Sequence, residues 1–301
     1  MKSENILAYP PRVLTQAERM FYFEQGYVRR ERLIPDDLVR KLQAATSEVV
    51  ERSRSLAAST DEFVLEPGHG PQAPRPRRLN RATDQHPVFW ELAAHSALPD
   101  MVSDLVGPDV KFREAYINFK WAKGGDEVKW HQDFPFNPHI NKAMLATLTF
   151  IEDVEPDQGP LMVIPRSHEG PLYDHYDASG RWAASMSAAD VATLPLDSAV
   201  SLTGPAGTVV AIHCAMVHGS ARNDSARSRP LLITGYSSAD NFAYTPMGPN
   251  MTPTQAFQIV RGKPAGHAHH EAMRTRVPPD WSGGYASIFE DQQGRTLPRQ
   301  Q

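Results

Sequence analysis

The chain of 301 residues has a single cysteine, Cys214. That excludes an intrachain disulfide and any zinc or iron–sulfur site built from several thiolates, and it suits a reducing compartment. Long apolar runs are missing too: no stretch of about eighteen apolar residues occurs, and the opening MKSENILAYPPRV has no continuous apolar segment. Neither a membrane span nor a secretory leader is expected, which leaves the cytoplasm as the default location. Charge of one sign is not in excess, since 31 Lys and Arg against 35 Asp and Glu leave a formal net charge of −4. Nucleic acids and anionic membranes are bound through a cationic surface and the counterions it releases, so neither is an expected partner. The remaining 41% hydrophobic and 22% charged residues describe an ordinary globular chain with material for a sizeable core.

Helical patterns come first. Thr15 to Glu18 has the form of a capping box before Met20, Phe21 and Phe23, and Gly26 closes the run. Pro35-Asp36-Asp37 suits a second helix start, with Leu38, Leu42, Ala45 and Val49 at helical spacing. Residues 66–81 (EPGHGPQAPRPRRLNR) read as a long loop. Charge runs are ordinarily solvated, so Arg75, Arg77, Arg78 and Arg81 are expected at the surface; the alternative is a lid whose guanidinium groups meet an anionic substrate. Asp84 to Val106 reads as one helix.

From Val110 the pattern changes to short strands: Lys111 to Lys120, Glu127 to Phe134, Met144 to Ile151, Leu161 to Ile164, Gly207 to His218 and Leu231 to Ser237. Residues 170–200 show no firm periodicity, and the tail from Pro246 to Gln301 is expected to cover one end of the sheet. Helices followed by strands predict one α+β unit, mainly β, with a jelly-roll core flanked by N-terminal helices. Its parts are a helical portion over about 14–107, the core over about 110–240 and a covering segment over 241–301.

The chemistry centres on Trp130-His131-Gln132-Asp133. In a strand the period of two puts His131 and Asp133 on one face. Two facing sheets let His218, nearly ninety positions on, join them. Two imidazoles and one carboxylate with the other positions open are the ligand set of mononuclear non-haem Fe(II) oxygenases. Arg229 follows His218 by eleven positions, about a turn and the start of a return strand. Its guanidinium fork suits the carboxylate of an acid co-substrate.

These residues carry a family resemblance. Asn118-Phe119-Lys120, Trp130 to Asp133, Gly159 to His168, His218-Gly219-Ser220, Asn223 and Arg229, in that order, resemble the phytanoyl-CoA dioxygenase family with its ectoine hydroxylase branch. The resemblance implies a double-stranded β-helix (jelly roll, cupin-like) that binds Fe(II) through His131, Asp133 and His218. It implies 2-oxoglutarate and O2 as co-substrates, with Arg229 on the distal carboxylate and Lys120, Thr149 and Ser220 lining the same pocket. The implied reaction hydroxylates a C–H bond of a small molecule and releases succinate and CO2, with 66–81 and 170–200 as candidate shields from water. Arg166 stands where the family usually has Gly, and Pro135 to His139 departs from the ectoine branch. Asp133 argues against the related halogenases, which lack that carboxylate.

Other assignments stay open beside this one. A metal-dependent hydrolase or a non-catalytic jelly-roll binding protein could use the same His/Asp/His set, although hydrolysis needs no dicarboxylate anchor at Arg229. His213 is expected to be structural, His168 and His175 to make loop hydrogen bonds, and His267, His269 and His270 to be solvated. Phe134, Phe136 and Tyr236 are expected in the pocket wall or core, and Trp130 against the sheet.

Overall fold

Capping and proline placement set the first half of the chain. In the computed structural model, which describes residues 2–285 and 287–293, a short helix α1 (Ser3–Leu7) precedes α2 (Gln16–Gln25). Helix α2 starts on the expected reciprocal pair: the Thr15 hydroxyl accepts the Glu18 N–H while Glu18 accepts the Thr15 N–H. It stops at Gly26, whose φ of +84° suits a residue without Cβ. Strand β1 (Tyr27–Arg30) leads into α3 (Asp36–Ser53), which buries Leu38, Leu42, Ala45 and Val49 along one stripe.

The segment 66–81 is only partly a loop. After β2 (Phe63–Leu65) it supplies β3 (Pro76–Leu79), in which all four residues are buried. Proline is tolerated at a strand's first position, so Pro76 does not forbid the assignment. The run expected as one helix is three: α4 (Ala82–Gln85), α5 (Pro87–His95) and α6 (Leu98–Val106). Pro87 and Pro99 each lie in a first turn, where a missing N–H costs nothing, and neither could continue a preceding helix.

The strands that follow are β4 (Val110–Lys120), β5 (Val128–His131), β6 (Met144–Phe150) and β7 (Leu161–Val163). A short helix α7 (Ala188–Val191) precedes β8 (Val200–Leu202), β9 (Val209–His213), β10 (His218–Ser220), β11 (Arg229–Ser238), β12 (Ile259–Arg261) and helix α8 (Ile288–Gln293). They form two antiparallel sheets: an eight-stranded one in the order β1-β9-β6-β11-β4-β3-β2, with β12 also on β4, and a four-stranded one, β5-β10-β7-β8. Gly207 to His218 is therefore two strands rather than one, because the chain leaves the large sheet after His213 and enters the small sheet at His218.

Alternation on the long strands builds two cores. Leu232, Val209, Ala211, Ile117 and Phe119 face the helical layer with Leu42, Phe89 and Val102, while Leu148, Val210, Ile212, Leu231 and Ile233 face Val163 and Leu202 of the small sheet. This is the expected jelly roll with helices on one outer face. Among the described residues, no helix is long and apolar enough to cross a membrane.

Candidate metal centre and co-substrate cavity

His131 and His218 are direct cross-strand partners on β5 and β10, with ring centroids 4.1 Å apart. Each ring is fixed through Nδ1, 2.8 Å from the Lys129 carbonyl for His131 and 2.9 Å from that of Met216 for His218. A carbonyl only accepts, so Nδ1 carries a proton in both rings, which turns Nε2 of each ring toward the metal position. The two Nε2 atoms lie 3.9 and 3.6 Å from one Asp133 oxygen, and the three ligand atoms fall within 4.8 Å of one another. Burial, then the neighbouring His218, holds the His131 imidazole well below the ordinary histidine range, which keeps it neutral.

The convergence does not arise as the period-of-two argument has it. Strand β5 ends at His131, and Asp133 has helical backbone angles (φ −73°, ψ −34°) at the start of a 3-10 turn, Phe134–Phe136. Gln132 between them is tied on the other side, its amide donating to the carbonyls of Ala215 and Pro171. The Gln132 N–H donates to His175 Nε2 at 3.0 Å, and Gln132 Oε1 accepts the Tyr173 N–H at 2.9 Å. Residues 170–200 thus brace the ligand segment, and among the described residues none of them lines the cavity.

That cavity, about 170 Å³, opens onto the three ligands, and it far exceeds the roughly 10–15 Å³ that one water needs. At one end stand Arg229 and Lys120, with Ser220 and Asn118 beside them. Arg229 is 4% exposed, its Nε has no hydrogen-bond partner, and among the described residues it has no carboxylate within ion-pair distance. Burial pushes it down to about 10. Lys120, equally inside rather than at the surface, donates to the carbonyls of Ser220 and Ala221. Burial, then Arg229, pushes it down to about 6. Pro230 is the second residue of β11 and lies beyond the last β6 pair at Leu231, where a missing N–H breaks no ladder bond to β6.

Thr149 does not belong to this pocket. Its register partners Leu232 and Val209 both lie in the helix-side core, so alternation sends its side chain away from the cavity that Leu148 lines. The Thr149 hydroxyl is buried without a partner. Arg77 and Arg78 are also not solvated: Arg77 pairs with Glu66 and Asp126, while Arg78 lies 3.6 Å from the Tyr116 ring centroid and lines the cavity. The cover expected from 66–81 and 170–200 comes largely from the C-terminal segment, through Met247, Met251, Trp281, Tyr285 and Phe289. Residues 286 and 294–301 of the tail lie outside the described residues.

Arg113 and Glu114 also line the cavity, and the sequence reading missed both. Gly235 pairs with Glu114 but Tyr236 with Phe112, so Arg113 is the extra residue of a β-bulge. The signal was present in the sequence: the apolar positions of β4 run 110 and 112, then 115, 117 and 119. That skip of three marks two consecutive residues on the other face.

His213, His168 and His175 have the structural and loop contacts expected of them. His213 packs near His168 and accepts the Ala215 N–H, His168 meets the Phe23 carbonyl, and His269 pairs with Asp240 at an exposed site. Trp130 packs with Ile164, Met186 and Val217, Phe136 lines the cavity, and the Tyr236 hydroxyl donates to the Ala93 carbonyl. Arg166 sits at φ +66°, a left-handed position that favours glycine.

A jelly roll carrying two histidines, one carboxylate and a buried cationic pocket defines an iron- and 2-oxoglutarate-dependent dioxygenase. The chain belongs to the phytanoyl-CoA dioxygenase (PhyH) family, which matches residues 22–231. It is 27% identical over 278 residues to a probable alpha-ketoglutarate-dependent hypophosphite dioxygenase of Stutzerimonas stutzeri, covering 91% of this chain and 96% of that one. It is 30% identical over 246 residues to L-proline trans-4-hydroxylase of Streptomyces griseoviridis, covering 76% and 88%. The crystal structure of EctD from S. alaskensis with 2-oxoglutarate and 5-hydroxyectoine superposes with a TM-score of 0.67 at 25% identity, covering 86% of this chain and 89% of that one.

Proposed function

We propose that His131, Asp133 and His218 hold Fe(II), that Arg229 and Lys120 receive the distal carboxylate of 2-oxoglutarate with Ser220 beside it, and that a small molecule is hydroxylated next to them in the cytoplasm. The observation that carries this reading is Arg229: a buried guanidinium with no counter-charge among the described residues, in the same cavity as the three ligand atoms. A buried cation costs several kcal/mol unless an anion meets it, and a carboxylate meets the fork with two parallel hydrogen bonds. The donor set fits as well, since two imidazoles that present Nε2 and one carboxylate suit ferrous iron without saturating it.

The chemistry that ferrous iron supplies when bound there is the activation of dioxygen, coupled to oxidative decarboxylation of 2-oxoglutarate to succinate and CO2. The chain's own part is placement and shielding. The Lys129 and Met216 carbonyls hold the ligand rings, Arg229 orients the dicarboxylate, and Trp281, Tyr285 and Phe289 keep water from the substrate end. Helical layer, barrel and C-terminal cover work as one catalytic unit. Arg229 and Lys120 favour this over hydrolysis, which needs no dicarboxylate anchor.

The test is anaerobic addition of Fe(II) and 2-oxoglutarate. A weak visible charge-transfer band and thermal stabilisation are expected, followed by succinate release in air. With neither band nor stabilisation, the assignment fails.

A further inference from the structure

The cavity also carries three charges, Arg78, Arg113 and Glu114, that the co-substrate assignment does not use. Because Arg113 is the bulged residue, Arg113 and Glu114 both reach the cavity although they are adjacent in sequence. Gly235 is part of the same device: a Cβ there would lie 2.9 Å from Glu114 Cγ and 3.0 Å from its Oε1, so only glycine lets the Glu114 side chain lie across β11. Arg78 arrives from β3, where its register partner is Asn118.

These groups do not neutralise one another. Among the described residues, neither guanidinium lies within 4.0 Å of the Glu114 carboxylate, and the Glu114 side chain makes no hydrogen bond. Arg113 spends one nitrogen on Asn137 Oδ1 at 2.8 Å, and its buried Nε has no partner. Arg78 bonds Asn80 through Nε and reaches the Met251 sulfur with one further nitrogen, which leaves donors over. Burial raises the Glu114 carboxyl, while Arg113 and Arg78 act against that rise. Opposite charges held apart in a low-dielectric cavity are each costly until something bridges them. A ligand with one charge would satisfy one side and leave the other unmet.

We propose that the Arg113–Glu114 bulge, with Arg78, is a substrate subsite for a small zwitterion, whose ammonium group meets Glu114 and whose acid group meets the two guanidiniums. The cavity wall of Phe136, Trp281 and Tyr285 supplies ring surface for the apolar part between the charges and for the cationic end. This deepens the dioxygenase assignment and rests on it.

The experiment uses the full chain loaded anaerobically with Fe(II) and 2-oxoglutarate. It is titrated with the ω-amino carboxylates from glycine to 5-aminovalerate, L-proline, taurine and 2-aminoethylphosphonate, and in parallel with butylamine and butyrate. The readout is a saturable change in the visible charge-transfer band. At least one zwitterion should change it where the singly charged probes do not. Glu114→Gln and, separately, Arg113→Gln should weaken that response about tenfold or more, while 2-oxoglutarate affinity stays within about twofold. Glu114→Asp should restore part of the response, and the persisting band certifies that each variant is folded. Equal responses to singly charged probes, no response to any zwitterion, or an unchanged response in Glu114→Gln overturns the subsite while leaving the dioxygenase assignment standing. Absence of the band in the parent protein overturns both.

Discussion

Arg229 and Lys120 are register partners across the β4–β11 ladder, so a buried guanidinium and a buried lysine face one cavity from adjacent strands. Among the described residues Lys120 has only carbonyl acceptors and Arg229 no carboxylate, so a charge on either is unfavourable until an anion arrives. Arg229→Met should therefore leave the ligand-free protein as stable or more stable, by about 1 kcal/mol or more. The same change should weaken 2-oxoglutarate about 10- to 100-fold, since hydrogen bonds to a charged group are lost. Calorimetric melting with and without 2-oxoglutarate checks both: at a hundredfold excess over Kd the parent should gain about 2.7 kcal/mol and the variant far less. A variant that is both destabilised and fully responsive would place the anchor elsewhere.

Lys120 gives a pH dependence with a definite sign. Folded, it is pushed down to about 6 by burial and by Arg229, whereas an unfolded lysine titrates near 10.4. Between these values the unfolded chain binds more protons, so this group makes ligand-free stability rise with pH from about 6 upward and disfavours the fold fully below it. A dicarboxylate reverses the preference by favouring the ammonium form. Binding of 2-oxoglutarate at pH 8 should take up protons, and its affinity should fall as pH rises from about 6 to 9. Titration calorimetry in buffers of different ionisation enthalpy measures the uptake, which Lys120→Met should abolish.

The metal ligands should matter for chemistry rather than for the fold. His131→Ala or Asp133→Ala should remove the charge-transfer band and succinate formation, with Tm within a few degrees of the parent, because the sheets are held by the two apolar cores. A Tm drop of the size caused by a core truncation would make His131 a structural residue.

How much of this was legible beforehand follows from what a strand pattern can carry. The order of His131, Asp133, His218 and Arg229 was readable because ligand chemistry restricts residue type whatever the geometry. Thr149 was misplaced because its direction depends on register with Leu232 and Val209, which a single strand does not reveal. Arg77 read as solvated because its partners Glu66 and Asp126 lie 11 and 49 positions away. Glu114 was missed because a bulge breaks the alternation on which strand assignments rest, although the skip from 112 to 115 in the apolar positions of β4 marks it. Thr149→Val tests the corrected geometry: the buried, unpartnered hydroxyl is replaced by a methyl, so stability should hold or rise by about 1 kcal/mol and 2-oxoglutarate affinity should not change.

The turn that holds Lys120 has its own vulnerability at Gly159. Its φ of +61° is left-handed, and a Cβ there would collide with the Ala221 carbonyl oxygen and come within 2.8 Å of that of Arg222. Backbone on both sides leaves no flexible side chain to give way, so Gly159→Ala should cost about 1–3 kcal/mol from the positive φ alone, and more from the collision. Ala221 is also an acceptor for the Lys120 ammonium. Displacing that carbonyl removes an acceptor from the ammonium form of Lys120 that the dicarboxylate favours, so the loss should appear as weaker 2-oxoglutarate binding as well as a lower Tm. Glycine 180, at φ +80° with open space around it, provides the control: Gly180→Ala should lower Tm by the backbone term only and leave 2-oxoglutarate affinity unchanged. If both variants bind 2-oxoglutarate like the parent, the Ala221 carbonyl has no part in holding Lys120.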